Sequence, residues 1–109
     1  MGKAYGLIEI TGVVAAMDAL DKMCKAADVT LSTWERKLGG RLVTIIVEGD
    51  VAACKAAVAA ALNEPVRNVA SHGVIPNPHE EIVRLVTLSA SRWKKTGGAE
   101  QDDRYLQEV

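Results

Sequence analysis

Two histidines, two cysteines and fourteen acidic side chains are the groups of this chain able to do acid–base, nucleophilic or metal chemistry. Their spacing argues against all three. A general base needs a carboxylate or imidazole held in a cleft that shifts its pKa. His72 sits inside a strand-like stretch and His79 directly follows Pro78, with no serine or cysteine constellation around either. Cys24 and Cys54 lie within helical apolar patterns, not in a CxxC pair and not at metal-ligand spacing from a histidine. Both are expected to be reduced, buried thiols. The acids are scattered singly along helices or gathered near the C-terminus. No P-loop, GxGxxG or zinc motif occurs. The sequence therefore predicts no catalytic residue, no cofactor and no metal.

The bulk composition narrows the classes further. The 109 residues fit one domain and are 49% hydrophobic, yet there is no Phe and only 4% aromatic content. Apolar mass carried by Ala, Val, Leu and Ile packs closely and leaves apolar faces for partners. A net charge of −1 gives no footprint for nucleic acid or an anionic membrane. The N-terminal stretch lacks the apolar run of a signal peptide, and no segment approaches the ~20 residues of a membrane span. These features predict a cytosolic protein.

The elements follow from periodicity and punctuation. Ala4 to Thr11 reads as a strand, ended by Gly12. A helix then runs to about Ala27. Val13, Met17, Leu20, Cys24 and Ala27 form its apolar stripe at spacings of three and four, and Ala15, Ala16, Ala19, Met23 and Ala26 form a second face of small residues. Val29 to Leu38 is a second strand, with Val29, Leu31 and Thr33 on one face. Gly39-Gly40 marks a turn into a third strand, Arg41 to Glu48. Asp50 is a good N-cap for an Ala-rich helix that ends before Pro65. Val66 to Ile75 is a fourth strand, stopped by Pro76-Asn77-Pro78. His79 to Leu88 predicts a short helix. Beyond Ser89 the composition shifts, which divides the chain into a domain over 1–88 and a weakly ordered extension over 89–109. The order β-α-β-β-α-β is the ferredoxin-like arrangement, an α+β sandwich with a short C-terminal helix and tail. A faint internal repeat accords with it, since both main helices follow a strand and open on Val and Ala.

Lys55 is almost the only polar residue of the second helix. A helix apolar nearly all round must be covered nearly all round. With only two main helices in the domain, that cover points to neighbouring copies of the chain.

Three blocks make the expectation specific. Lys3 to Leu31 (KAYGLIEITGVVAAMDALDKMCKAADVTL), Lys37 to Ala57 (KLGGRLVTIIVEGDVAACKAA) and Val74 to Ile82 (VIPNPHEEI) resemble, in order, the opening, the pore hairpin with its following helix, and the Val-Ile-Pro-x-Pro-His segment of the bacterial microcompartment shell family. Together the blocks span roughly Lys3 to Ile82. The resemblance implies a cyclic homo-hexamer that tiles with other shell proteins around encapsulated enzymes, with a central pore for small polar metabolites. It assigns the pore loop to Lys37, Leu38, Gly39, Gly40 and Arg41, where glycine amides face the axis and favour anionic or polar solutes. It assigns the edge between hexamers to Lys25, Asn77 and His79. It implies no cofactor: the iron-sulfur site of some relatives would need a cysteine in the loop.

Several residues depart from the family pattern. Gly40 replaces a common serine, and Arg41 a common glycine. Glu48 and Asn77 replace arginines, and Asn77 is too short to reach an adjacent hexamer. The link from Ala61 to Val66 is short. Val47 to Cys54 resembles a less typical minor shell subunit of ethanolamine-type compartments. These departures predict a minor or non-standard shell component that tiles weakly. The alternative is an oligomeric ferredoxin-like regulator binding a small ligand between subunits, which would need charged residues converging at a subunit cleft. An enzyme with an interface active site is the third reading.

Overall fold

The structure, a computed structural model, describes residues 3–36 and 41–97. Seven elements follow one another: β1 (Ala4–Thr11), α1 (Val13–Ala26), β2 (Thr30–Arg36), β3 (Leu42–Gly49), α2 (Val51–Ala61), β4 (Val69–Pro76) and α3 (Glu80–Gly97). The strands form one antiparallel sheet in the order β2-β3-β1-β4, which is the ferredoxin-like topology expected from the element order.

Alternation along β1 and β3 decides the two faces. Ile8 lies opposite Ile45 and Ile10 opposite Val43, and all four side chains are buried under α1 and α2. Burying each such side chain contributes about 1.5–3 kcal/mol. The other face carries Leu7, Glu9, Thr44 and Ile46, and it is there that α3 meets β2.

The face of α1 that enters the core is the small one. Ala15, Ala16, Ala19 and Met23 are buried, whereas Val13, Met17 and Cys24 of the expected apolar stripe are exposed and Leu20 is half-buried. Close packing of α1 on α2 and the sheet favours the alanines, with Met23 also admitted to the core, while Val13 and Met17 are turned outward. This also corrects the expectation for the thiols. Cys54 is buried, with its Sγ 3.4 Å from the Ala4 carbonyl, but Cys24 is exposed.

Strand β2 contains an irregularity that the sequence does not announce. Leu31 pairs with Val47 but Thr33 pairs with Ile46, so a bulge lies between them. Leu31 therefore faces the α1/α2 core while Thr33 faces α3, although they were expected on one face. Strand β4 begins at Val69 rather than Val66, because β1 offers Ile10 as the partner of Val69 and only Thr11 beyond it.

The helix ends are individually fastened. Gly12 has φ 98°, a left-handed conformation that disfavours a side chain, and its N–H donates to the Arg41 carbonyl at 2.7 Å. Asp50 caps α2 as expected, its Oδ1 accepting from the Ala53 N–H at 2.7 Å. At the other end of α2 the Lys22 ammonium donates to the carbonyls of Asn63 (3.1 Å) and Glu64 (2.7 Å). At Gly49 a Cβ would stand 2.9 Å from the Asp28 carbonyl oxygen, so only glycine fits the start of this turn.

Helix α3 is longer than the expected His79 to Leu88, and the compositional change at Ser89 falls inside it. Ser89 is buried because it anchors the helix to β2. Its hydroxyl is 2.7 Å from the Thr33 hydroxyl and also donates to Glu35. Arg92 adds an ion pair to Glu35 at 3.7 Å. The residues 98–109 of the expected extension lie outside the described ones.

Candidate functional site

The expected pore loop sits between β2 and β3. Lys37, Leu38, Gly39 and Gly40 lie outside the described residues. Arg41 is described: it is exposed, and its backbone is tied to Gly12 at the start of α1. On the other side of the loop Arg36, at the end of β2, pairs with Val43 and so shares the α1 face of the sheet. The two arginines, Gly12, Val13, Leu42 and Val43 line a cavity of about 260 Å³. Arg36 was not singled out from sequence. Its signal lay in its place next to the loop, and the bulge hid the face it takes.

The three expected edge residues occupy separate places. Lys25, in the last turn of α1, is exposed and pairs with Asp21 one turn earlier at 2.8 Å, which raises the lysine's pKa through hydrogen bonding and charge. Asn77 follows β4 with φ 47°, a left-handed conformation that Asn tolerates well, and its N–H donates to the Lys3 carbonyl at 3.1 Å. His79 opens α3: its Nδ1 accepts from the Glu81 N–H at 3.0 Å, and its carbonyl accepts from Ile82 and Val83. No hydrogen bond or ion pair joins these three residues to one another among the described residues.

The two arginine-replacing positions meet at one residue. Lys3 gives its carbonyl to Asn77 and its ammonium to Glu48, at 3.0 Å from Oε2. Ser32, the bulged residue, donates to Glu48 Oε1 at 2.9 Å. Burial alone would raise the Glu48 pKa, but the Lys3 and Ser32 hydrogen bonds outweigh it and hold the carboxyl below its usual range. The Cys54 thiol is pushed up, chiefly by burial.

Among the described residues no group of three His, Cys, Asp or Glu could hold a metal ion, and no helix is long and apolar enough to cross a membrane. Every buried side-chain nitrogen and oxygen among them has a partner. What the molecule does expose is apolar surface. Val14 is 76% and Met17 60% accessible on α1, Leu85 and Leu88 are open on α3, and Ala52, Ala56 and Ala59 face outward on α2. A groove of about 630 Å³ runs along α3 between Pro78, Val83, Thr87 and Leu88.

The BMC domain model matches residues 4–78, which takes in the whole sheet and both core helices. The chain belongs to the BMC-domain family of bacterial microcompartment shell proteins. It is 41% identical over 92 residues to the microcompartment shell protein PduA of Salmonella typhimurium, covering 83% of this chain and 97% of that one. It is 46% identical over 89 residues to the shell protein EutK of Escherichia coli, covering 80% of this chain and 53% of that one. A crystal structure of a microcompartment protein from Desulfitobacterium hafniense superimposes with a TM-score of 0.71 at 26% identity, over 82% of this chain and 49% of that one. BMC-domain proteins of the shell are structural and not enzymes. Membership places this chain among the shell components of a cytoplasmic bacterial microcompartment, which assemble with other shell proteins.

Proposed function

We propose that this shell protein assembles as a cyclic hexamer whose axis is lined by residues 37–41, forming a pore for small polar metabolites. The observation that carries this reading is the near full-length alignment with PduA, a shell protein of similar size, through the β2–β3 hairpin and its anchor at Gly12. The exposed Val14 and Met17 on α1 and the bare alanine side of α2 support it, since exposed apolar surface is what a partner subunit would cover.

Its position in the shell is a minor or weakly tiling one. The support is chemical: Glu48 is turned into a bond with Lys3 and Ser32, and the Asn77 side chain is short, on a backbone whose N–H is held by the Lys3 carbonyl. Lys25, Asn77 and His79 form the edge toward adjacent hexamers and other shell proteins, with encapsulated enzymes inside the shell.

Light scattering of the purified chain across a range of concentrations tests the oligomer, with six-fold averages in electron microscopy as the second measurement. A mass of six chains and an axial opening are expected, with few extended sheets. A chain that remains monomeric at high concentration would overturn the hexamer. Abundant flat sheets that survive Lys25→Ala would overturn the weak edge.

A further inference from the structure

We propose that the cavity between Arg36 and Arg41 is a docking site for a phosphate-class oxyanion, one per chain, at the foot of the expected pore loop.

Four observations converge on it. Arg36 and Arg41 line the same cavity, and among the described residues neither side chain has a hydrogen-bond or ion-pair partner. Two unpaired arginines at one cavity add to its positive field, which an oxyanion accepting from both forks would neutralise. Among the described residues no aspartate or glutamate lines the cavity. The nearest acids in the strands are sent to the opposite face by alternation: Glu35 binds Ser89 there, and Glu9 accepts from Thr44 at 3.0 Å. Finally, α1 starts at the cavity wall with Gly12 as its cap, without a side-chain cap bond and without an acidic residue in its first turn. Its first amides thus add to the positive field of the arginines instead of being neutralised.

Size and charge define the ligand. The cavity of about 260 Å³ holds a phosphoryl or pyrophosphoryl group with some of its hydrating water, at ~30 Å³ per water, but not a dinucleotide. Two forked cations select a doubly charged tetrahedral anion over a monoanionic carboxylate. The meaning of the site, though not its binding, rests on the pore reading. A ring of subunits would hold a ring of such sites beside the axis, concentrating phosphorylated metabolites before passage.

Calorimetric titration of the full chain with inorganic pyrophosphate tests the proposal, with the oligomer measured by light scattering in the same samples. Saturable binding at one anion per chain is expected, displaced by inorganic phosphate but not by acetate at equal ionic strength. Arg36→Gln and Arg41→Gln should each weaken binding about tenfold, the loss of one charge-assisted contact. Arg36→Lys should recover part of it. In the unaltered protein, added pyrophosphate should shift the NMR signals of the Arg36 and Arg41 side chains and of the Gly12 and Val13 amides. Absence of saturable binding, one anion per ring, unchanged affinity in the double glutamine variant, or shifts confined to other basic residues would each overturn the site. Binding by a monomer would uphold the site and overturn the pore reading. A hexamer without binding would do the reverse.

Discussion

The Lys3 ammonium stands 3.0 Å from the Glu48 carboxylate, and the same lysine takes the Asn77 N–H on its carbonyl. One residue before β1 therefore ties the end of β3 to the exit of β4. Because the folded pKa of Glu48 is lowered, its contribution to stability is complete above the ordinary glutamate pKa. That contribution is lost as pH falls through the lowered value. Urea midpoints measured on the acid side of pH 6 should fall more steeply for the unaltered protein than for Glu48→Gln. Parallel curves would show that the carboxylate adds nothing.

Lys22 is expected to be the residue of α1 whose polar contacts matter most. It closes a contact between helices by bonding two carbonyls at the end of α2, and it also pairs with Asp18 at 3.2 Å. Lys22→Met should cost about 1 kcal/mol, since the bonds are charge-assisted but half-exposed. Denaturant midpoints at matched protein concentration would register the loss, and an unchanged midpoint would refute it.

Helix α3 depends on a hydroxyl. Ser89→Ala removes the bonds to Thr33 and Glu35 and leaves the Thr33 hydroxyl buried without its partner, at a cost of about 1–3 kcal/mol. The effect should be local. Hydrogen exchange should accelerate along α3 while β1 and β3 keep their protection. Uniform acceleration across the sheet would contradict this arrangement.

The two thiols should differ in reactivity. Cys24 is exposed and Cys54 is buried, with its thiol pKa raised. A thiol reagent at neutral pH should modify one cysteine per chain rapidly and the second only on unfolding. Cys24→Ser should abolish the rapid phase, and rapid labelling that persists in that variant would place Cys54 at the surface.

Much of this was legible from residue order alone. The continuous apolar run of β3, the Asp50 cap and the glycine at position 12 each act locally, so their neighbours in sequence reveal them. The buried face of α1 was not legible. Its two stripes are both apolar, and only the distance between α1 and α2 chooses the alanines over Val13 and Met17. The reach of α3 was hidden for the same reason, since Ser89 looks polar until Thr33 is opposite it. Lys25, Asn77 and His79 were singled out by family pattern alone, and the single chain shows only their local bonds. The face taken by Arg36 was not legible because the bulge reverses the expected parity of β2.

That bulge gives β2 one residue of slack. Deleting Ser32 would let Leu31 and Thr33 follow each other in regular register, leaving Thr33, Trp34, Glu35 and Arg36 on their present faces and sacrificing only the bond to Glu48. Deleting Trp34 would instead slide Glu35 into the place opposite Ile45, under the helices, and carry Arg36 to the other side. Thermal unfolding should find the first shortened chain close to the parent and the second far below it. The strand thus tolerates a change of length at one address, and a lineage of such proteins could lose or gain a residue there without exchanging its inside for its outside.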